Sequence, residues 1–289
     1  MTFRISKQAG YSLSLVSLLI LLLVASATMT QGDQIDRLCG EVARPCMIDG
    51  GTGGRYYIVT PSGWDGVRPL GALVFFHGYR SSGAEFTSNP TVVAAAHRGG
   101  YALVAADGLD GTWSHSGSPT RRRDETVYVS NLLDDLARRI PLDRKDLWAA
   151  GFSQGGSMVW EMACHLGERF KAFVAISGAF WEPLPQTCTT GPVSILHIHG
   201  GQDRTVPMLG RRIGSYKQGE VLKSFEIMRE VNHCAPQSSV SRVTGAFVCE
   251  TWSNCQSRHR LQLCMHNGAH QIPAQWDDLA YRFLSDAKR

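Results

Sequence analysis

From residue 55 onward, short unbroken apolar runs alternate with longer stretches of helical spacing. Arg55-Tyr56-Tyr57-Ile58-Val59 reads as a first strand after the glycine-rich stretch 50–54. Gly71 to Phe76 and Tyr101 to Ala106 are continuous apolar runs. Such runs suit strands buried on both faces, as in parallel sheets. Thr126 to Ile140 has helical periodicity, with Val127, Leu132, Leu133 and Leu136 inward and Asp134, Asp135, Arg138 and Arg139 outward. Pro141 ends it. Further strands are predicted at 147–150, 172–176 and 193–198, a strand pair at 246–252 and 260–265, and a last helix over 274–287. The alternation predicts a doubly wound, mostly parallel sheet with helices on both faces. Gly108 to Arg123 lacks periodicity and reads as a surface loop near the active end of that sheet.

The start of the chain follows a different rule. Arg4 and Lys7 precede an apolar stretch from Leu13 to Ala25, and Ala25-Ser26-Ala27 is a small-x-small cleavage pattern. Residues 1–27 are therefore expected to be a signal peptide and 28–289 one catalytic domain, with an uncleaved anchor as the rival. Export implies a secreted or periplasmic protein without further membrane attachment.

A net charge of +4 is mild, and Arg121-Arg122-Arg123 is answered at once by Asp124-Glu125, which argues against nucleic-acid binding. A monomer is expected. The 8 cysteines are Cys39, Cys46, Cys164, Cys188, Cys234, Cys249, Cys255 and Cys264. An even count in an exported chain suggests disulfides, though eight allow about 105 connectivities. Cys39–Cys46 would close a short loop, Cys164 and Cys188 could staple helix to strand, and Cys249 with Cys264 would leave Cys234–Cys255. Cys164 is the first candidate for a free thiol instead. No Cys-x-x-Cys occurs, so no metal is expected.

The chemistry centres on Gly151-Phe152-Ser153-Gln154-Gly155, set between an apolar run and a helical stretch. Strand, sharp turn and helix would lift Ser153 into position to attack; a helix-capping serine is the plainer alternative. A serine nucleophile needs an acid and then a histidine downstream. Asp203, in the loop after the 193–198 strand, is the acid candidate, against a turn aspartate. His270, before the last helix, is the base candidate, with His266 and His233 as rivals. The oxyanion donors expected are the backbone N–H groups of Gln154 and Tyr79. His77 is expected to shape its loop, with a second functional histidine as the alternative. Trp113 and Trp181 are candidates for lining a substrate cleft, or for packing beneath the loops.

These residues together resemble a known group. His77-Gly78, Asp107-Gly108-Leu109 with Trp113, Gly151-x-Ser153-x-Gly155-Gly156, His197-Ile198-His199-Gly200 with Asp203 and Val206-Pro207, and Gly268-x-His270 are similar to the secreted polyhydroxybutyrate depolymerase / feruloyl esterase family of α/β-hydrolases. The resemblance runs from about residue 50 to the end. It implies an α/β-hydrolase fold and a secreted carboxylic-ester hydrolase without metal or organic cofactor. It carries nucleophile, acid and base to Ser153, Asp203 and His270. It also suggests pairs Cys234–Cys255 and Cys164–Cys188. The family often has His-x-Trp-Pro-Gly at the base, whereas this chain has His270-Gln271-Ile272-Pro273-Ala274, and Tyr79 replaces a frequent cysteine. The expected substrates are polyester or hydroxyacid oligomers, with feruloyl or acetyl groups on plant polysaccharide as the alternative. A protease or a catalytically silent binding protein on the same fold are the readings of other classes.

Overall fold

The computed structural model describes residues 39, 44–48, 54–243 and 247–286. The expected leader at 1–27 lies outside the described residues, as do Ala246 and Ala287 of two predicted elements. Among the described residues, no helix is long and apolar enough to cross a membrane.

In chain order the elements are β1 (Cys46–Met47), β2 (Arg55–Val59), β3 (Leu70–Phe76), α1 (Gly83–Thr87), α2 (Pro90–Arg98), β4 (Ala102–Ala106), α3 (Glu125–Arg139), β5 (Leu142–Phe152), α4 (Gln154–His165) and β6 (Ala172–Ile176). Then follow β7 (Trp181–Glu182), β8 (Ile195–Gly200), β9 (Arg211–Ile213), β10 (Tyr216–Gln218), α5 (Val221–Val231), β11 (Ser239–Val243), β12 (Phe247–Trp252), β13 (Leu261–His266) and α6 (Trp276–Asp286).

One sheet has the order β1-β2-β4-β3-β5-β6-β8-β13-β12-β11. The stretch from β4 to β13 is parallel throughout, and antiparallel strands extend both ends. Alternation along the strands feeds two cores. Ala72, Val74 and Phe76 of β3 pack into one, and Leu73 and Phe75 into the other. The unbroken apolar run is thus a strand covered on both faces, as its composition requires. The first core includes Leu132 and Leu136 of α3, Met158 and Met162 of α4 and Phe225 of α5; the second includes Val92 and Ala96 of α2 and Phe283 of α6.

The α3 pattern needs two corrections. Periodicity places Val127 inward, but it is 43% exposed, because the helix starts at Glu125, capped by the Asp124 side chain, and Val127 lies in its solvent-facing first turn. Periodicity places Asp135 outward, but it is buried, where it accepts from Tyr56 Oη at 2.7 Å and from Arg139 Nε at 2.6 Å. Asp135 escapes the cost of burial through these bonds. All eight cysteines pair, as Cys39–Cys46, Cys164–Cys188, Cys234–Cys255 and Cys249–Cys264, so Cys164 is not free. The last pair joins residues facing one another across β12 and β13. A small sheet, β7-β10-β9, stands apart from the main one.

Candidate active site

The carboxyl ends of the parallel strands bring together the candidate nucleophile, acid and base. Ser153 follows β5, Asp203 follows β8 and His270 follows β13, while the loops after β3 and β4 carry Tyr79 and Trp113. Open α/β sheets place their ligand sites at this edge.

Ser153 sits at φ 59°, ψ −120°, outside the regions an L-residue prefers. Such a backbone costs on the order of 1–3 kcal/mol and persists only when its surroundings fix it. Here the Ser153 N–H donates to the Ile176 carbonyl at 2.9 Å, and its own carbonyl accepts from Ser157 N–H at 3.1 Å. Two glycines make the turn possible. A Cβ at Gly155 would overlap the Phe76 carbonyl, and one at Gly151 would overlap the Gly155 carbonyl. The Ser153 side chain makes no cap bond to its helix, so the capping alternative does not describe it.

The three candidates form one chain of hydrogen bonds. Asp203 Oδ2 accepts from His270 Nδ1 at 2.7 Å. That bond puts the proton on Nδ1 and leaves Nε2 to accept from Ser153 Oγ at 2.8 Å. Asp203 Oδ1 accepts from the N–H groups of Thr205 (2.9 Å) and Val206 (2.8 Å). Burial pushes the Asp203 carboxyl up, but the His270 and Val206 bonds outweigh it and hold the group below its ordinary value. His270 packs against Phe152 with the rings tilted by 34° and centroids 4.8 Å apart.

The rival histidines serve elsewhere. His266 Nδ1 accepts from Gly268 N–H at 3.0 Å. His233 takes a left-handed φ of 48° at the end of α5, beside the bonded Cys234. His77 is fully buried; its Nδ1 donates to the Gly78 carbonyl at 2.8 Å and its Nε2 accepts from Gly108 N–H at 2.9 Å. It therefore ties the loop after β3 to the loop after β4.

A cavity of about 260 Å³ opens beside Ser153, with Tyr79, Thr112, Gln154, Ser157 and Trp181 among its walls. The Gln154 N–H lies in the first turn of α4 and has no acceptor within the helix. The Tyr79 N–H has no acceptor among the described residues. Both amides belong to residues lining the Ser153 cavity. The Gln154 side chain fixes one wall by donating from Nε2 to Thr112 Oγ1 at 2.9 Å.

The two tryptophans part company. Trp181 lines the cavity. Trp113 does not: it is fully buried under the loop, with its indole N–H donating to the His77 carbonyl at 2.8 Å and its ring edge-on to Phe76. Sequence reasoning missed Ser157, Arg211 and Gln218, which also line the cavity. Ser157 was open to discovery, being one helical turn beyond Ser153; the other two lie on the small sheet, which had no apolar pattern to reveal it.

Comparison with known proteins shows similarity in sequence and in fold. Residues 115–248 match the phospholipase/carboxylesterase family. The chain is 26% identical over 224 residues to feruloyl esterase B of Piromyces equi, covering 72% of this chain and 40% of that protein. It is 25% identical over 235 residues to a bifunctional acetylxylan esterase/xylanase of Neocallimastix patriciarum, covering 78% of this chain and 32% of that one. The chain thus spans less than half the length of these curated relatives. Among solved structures, the acetyl xylan esterase from Aspergillus awamori superposes with a TM-score of 0.59 at 14% identity, covering 82% of this chain and 96% of that one. With its parallel sheet, its serine-bearing turn between β5 and α4, and these similarities, the chain has the α/β-hydrolase fold, and its residues 115–248 are similar to the phospholipase/carboxylesterase family.

Proposed function

We propose that this protein is an exported serine carboxylic-ester hydrolase with Ser153 as nucleophile, His270 as base and Asp203 as the acid that orients it. The observation that carries the reading is the chain Ser153 Oγ–His270–Asp203, at 2.8 and 2.7 Å, opening onto a cavity lined by Tyr79 and Gln154. His270 Nε2 takes the Ser153 proton as Oγ attacks the ester carbonyl. The oxyanion is received by the Tyr79 and Gln154 N–H groups, each worth about 2.7–4 kcal/mol in the transition state. The carbonyl re-forms, the ester C–O bond breaks, and His270 protonates the departing alcohol. Water then attacks the acyl-serine, giving its proton to His270, and the acid leaves as Oγ recovers a proton. Asp203 stabilises the imidazolium formed in each half and keeps its tautomer.

The motifs around Ser153, His199 and Asp203 support a polyester or hydroxyacid-oligomer substrate, as in polyhydroxybutyrate depolymerases. The similarity to a feruloyl esterase and to an acetylxylan esterase favours a second reading, an acyl group on plant polysaccharide. A cavity of about 260 Å³ suits a short acyl chain or a single ring in either case, with Trp181 as its aromatic wall. Four disulfides support an oxidising compartment, consistent with removal of a leader at 1–27 and one catalytic domain over 28–289.

The test is hydrolysis by the mature, oxidised protein of p-nitrophenyl acetate to octanoate, methyl ferulate, acetylated xylan and hydroxybutyrate oligomers, each against Ser153→Ala. Activity lost in that variant is the expected result, and the best substrate chooses between the two readings. A folded protein without Ser153-dependent turnover, and without labelling by a fluorophosphonate, would return the chain to the silent binding class.

A further inference from the structure

Among the described residues, Arg211 is the only charged one lining the cavity beside Ser153; the rest carry hydroxyl, amide or apolar groups. It opens β9, and its stem is anchored from two sides. Its Nε donates to the Thr205 carbonyl at 2.6 Å and to Gln218 Oε1 at 3.3 Å. The first bond reaches the loop that holds Asp203, and the second crosses to β10. Arg211 is exposed, and its outer N–H groups, which have no acceptor among the described residues, face solvent at the cavity while Nε anchors the group. Gln218 is buried in the same wall, and its Nε2 likewise has no acceptor among the described residues.

The acids nearby are committed elsewhere and do not neutralise this charge. Asp203 is bonded to His270 and two backbone amides. Glu182, on the strand beside β10, is paired with Lys217 at 2.6 Å, and Glu220 with Lys223 at 3.3 Å. Arg204 and Arg212, next in sequence to the lining residues Thr205 and Arg211, are also exposed and add positive charge to these two segments. A fixed guanidinium edge beside an amide donor matches a carboxylate, which accepts two parallel N–H bonds.

From this we propose that the ester substrate carries a carboxylate close to the scissile bond, and that Arg211, with Gln218, selects it. The inference rests on the esterase reading and narrows its substrate class. The carboxylate has two possible sources, the far end of a dicarboxylic or oligoester acyl chain, or a uronic acid in the polysaccharide that bears the ester. Arg211 touches substrate only; the bond-making groups remain Ser153 and His270.

The experiment measures kcat/KM of the mature, oxidised protein on matched pairs. Monoethyl glutarate is set against ethyl valerate, and acetylated homogalacturonan against acetylated xylan. At about 20 mM salt the carboxylate member is expected to be preferred by at least about tenfold in one or both pairs, and the preference to shrink at about 0.5 M. A preference in the first pair places the carboxylate on the acyl side; a preference in the second alone places it on the sugar. Arg211→Gln should collapse the ratio, Arg211→Lys should retain part of it, and Arg144→Gln, at the opposite end of β5 from Ser153, should leave it intact. Because Arg211 also braces Thr205, the ratio within each variant is the readout rather than the rate. An equal loss on both members of a pair would reduce Arg211 to a structural brace and overturn the proposal, as would neutral esters turning over as well as charged ones. Calorimetry of glutarate with Ser153→Ala, and with Ser153→Ala/Arg211→Gln, separates the two levels of the argument. Turnover of neutral esters without glutarate binding sinks the carboxylate claim alone. Glutarate binding that needs Arg211, without turnover of any ester, sinks the esterase reading and with it the substrate claim.

Discussion

His199 Nε2 lies 2.8 Å from the Val206 carbonyl and donates to it. The same Val206 donates its N–H to Asp203 at 2.8 Å, so one residue links a rigid strand to the carboxylate of the site. The direction of the chain is fixed by its ends. With Nε2 donating, His199 Nδ1 must accept, and it does so from His197 Nε2 at 2.9 Å. Both rings stand on one face of β8, two positions apart, and both are fully buried. The paired histidines thus brace the acid loop from beneath, without touching the space where substrate would sit.

A brace of this kind acts through geometry. Replacing His199 by Phe keeps the ring and removes both bonds, leaving the Val206 carbonyl without its donor. Misplacement of a reacting group by about 1 Å costs on the order of 10²-fold in rate. His199→Phe is therefore expected to lower kcat on p-nitrophenyl acetate by roughly 10- to 100-fold while KM changes far less. Steady-state kinetics decide it; a loss confined to KM would place His199 in substrate binding instead.

Asp203→Asn tests the polar chain directly. The amide presents an N–H where His270 Nδ1 now donates, which forces the ring into the other tautomer and blocks acceptance from Ser153. The expected loss is about 10⁴-fold in kcat with the fold intact. Near-wild-type turnover of Asp203→Asn, measured with purified protein free of wild-type carry-over, would displace Asp203 from the triad.

Much of this is readable from the chain, for reasons particular residues make plain. The unbroken runs of β3 and β4 are buried on both faces, so composition alone reveals them. The run at 147–150 understates β5, which begins at Leu142, because Asp143, Arg144, Lys145 and Asp146 interrupt the apolar pattern with charged side chains. The turn at Ser153 is legible because only glycine fits beside it. In contrast, β9 and β10 are three-residue, mostly polar strands; β10 pairs with Trp181–Glu182 and β9 pairs with β10. No local pattern announces such a unit, so Arg211 is invisible as a cavity residue. Trp113 misleads for the converse reason: a loop tryptophan looks available until the loop folds over it. The helix α2 carries an overlooked signal, Asn89 capping Thr91 and Val92 with Pro90 at its first position.

Acid sensitivity follows from the buried imidazoles. Burial pulls the pKa values of His77, His115, His197, His199 and His266 below the ordinary histidine value, most strongly for His197. Below pH of about 6.5 the unfolded chain binds protons that the folded one refuses, so stability falls as pH falls. Each such group contributes a slope of about 1.4 kcal/mol per pH unit while it is protonated only when unfolded. The stabilising contribution is complete above about pH 6.5 and is lost as pH drops toward the depressed folded values. Denaturant midpoints at pH 7.5, 6, 5 and 4 should decline steadily, and His197→Phe should flatten the decline. A midpoint constant from pH 7.5 to pH 5 would contradict the buried neutral state of these rings.

The tightest constraint on the nucleophile is at Gly155. A methyl group there would run into the Phe76 carbonyl and lie 2.6 Å from the His77 carbonyl, both backbone atoms at the end of β3. Backbone cannot swing aside as a flexible side chain does, so α4 must move off the sheet. That movement separates the Gln154 N–H from the Tyr79 N–H, since one belongs to the helix and the other to the loop after β3. Gly155→Ala should thus lose roughly 2–4 kcal/mol of stability and, in whatever fraction folds, more than about tenfold in kcat. Gly63→Ala provides the comparison. Gly63 has a φ of 78°, and a methyl group added there would have no neighbour within 4 Å, so alanine meets only backbone strain. It should cost about 1 kcal/mol and leave kcat unchanged. Thermal unfolding gives the stability difference, and active-site titration with a fluorophosphonate corrects kcat for the folded fraction. If Gly155→Ala retained full kcat per titrated site, close approach of α4 to β3 would matter for folding alone, and the oxyanion pair would have to be sought in other amides.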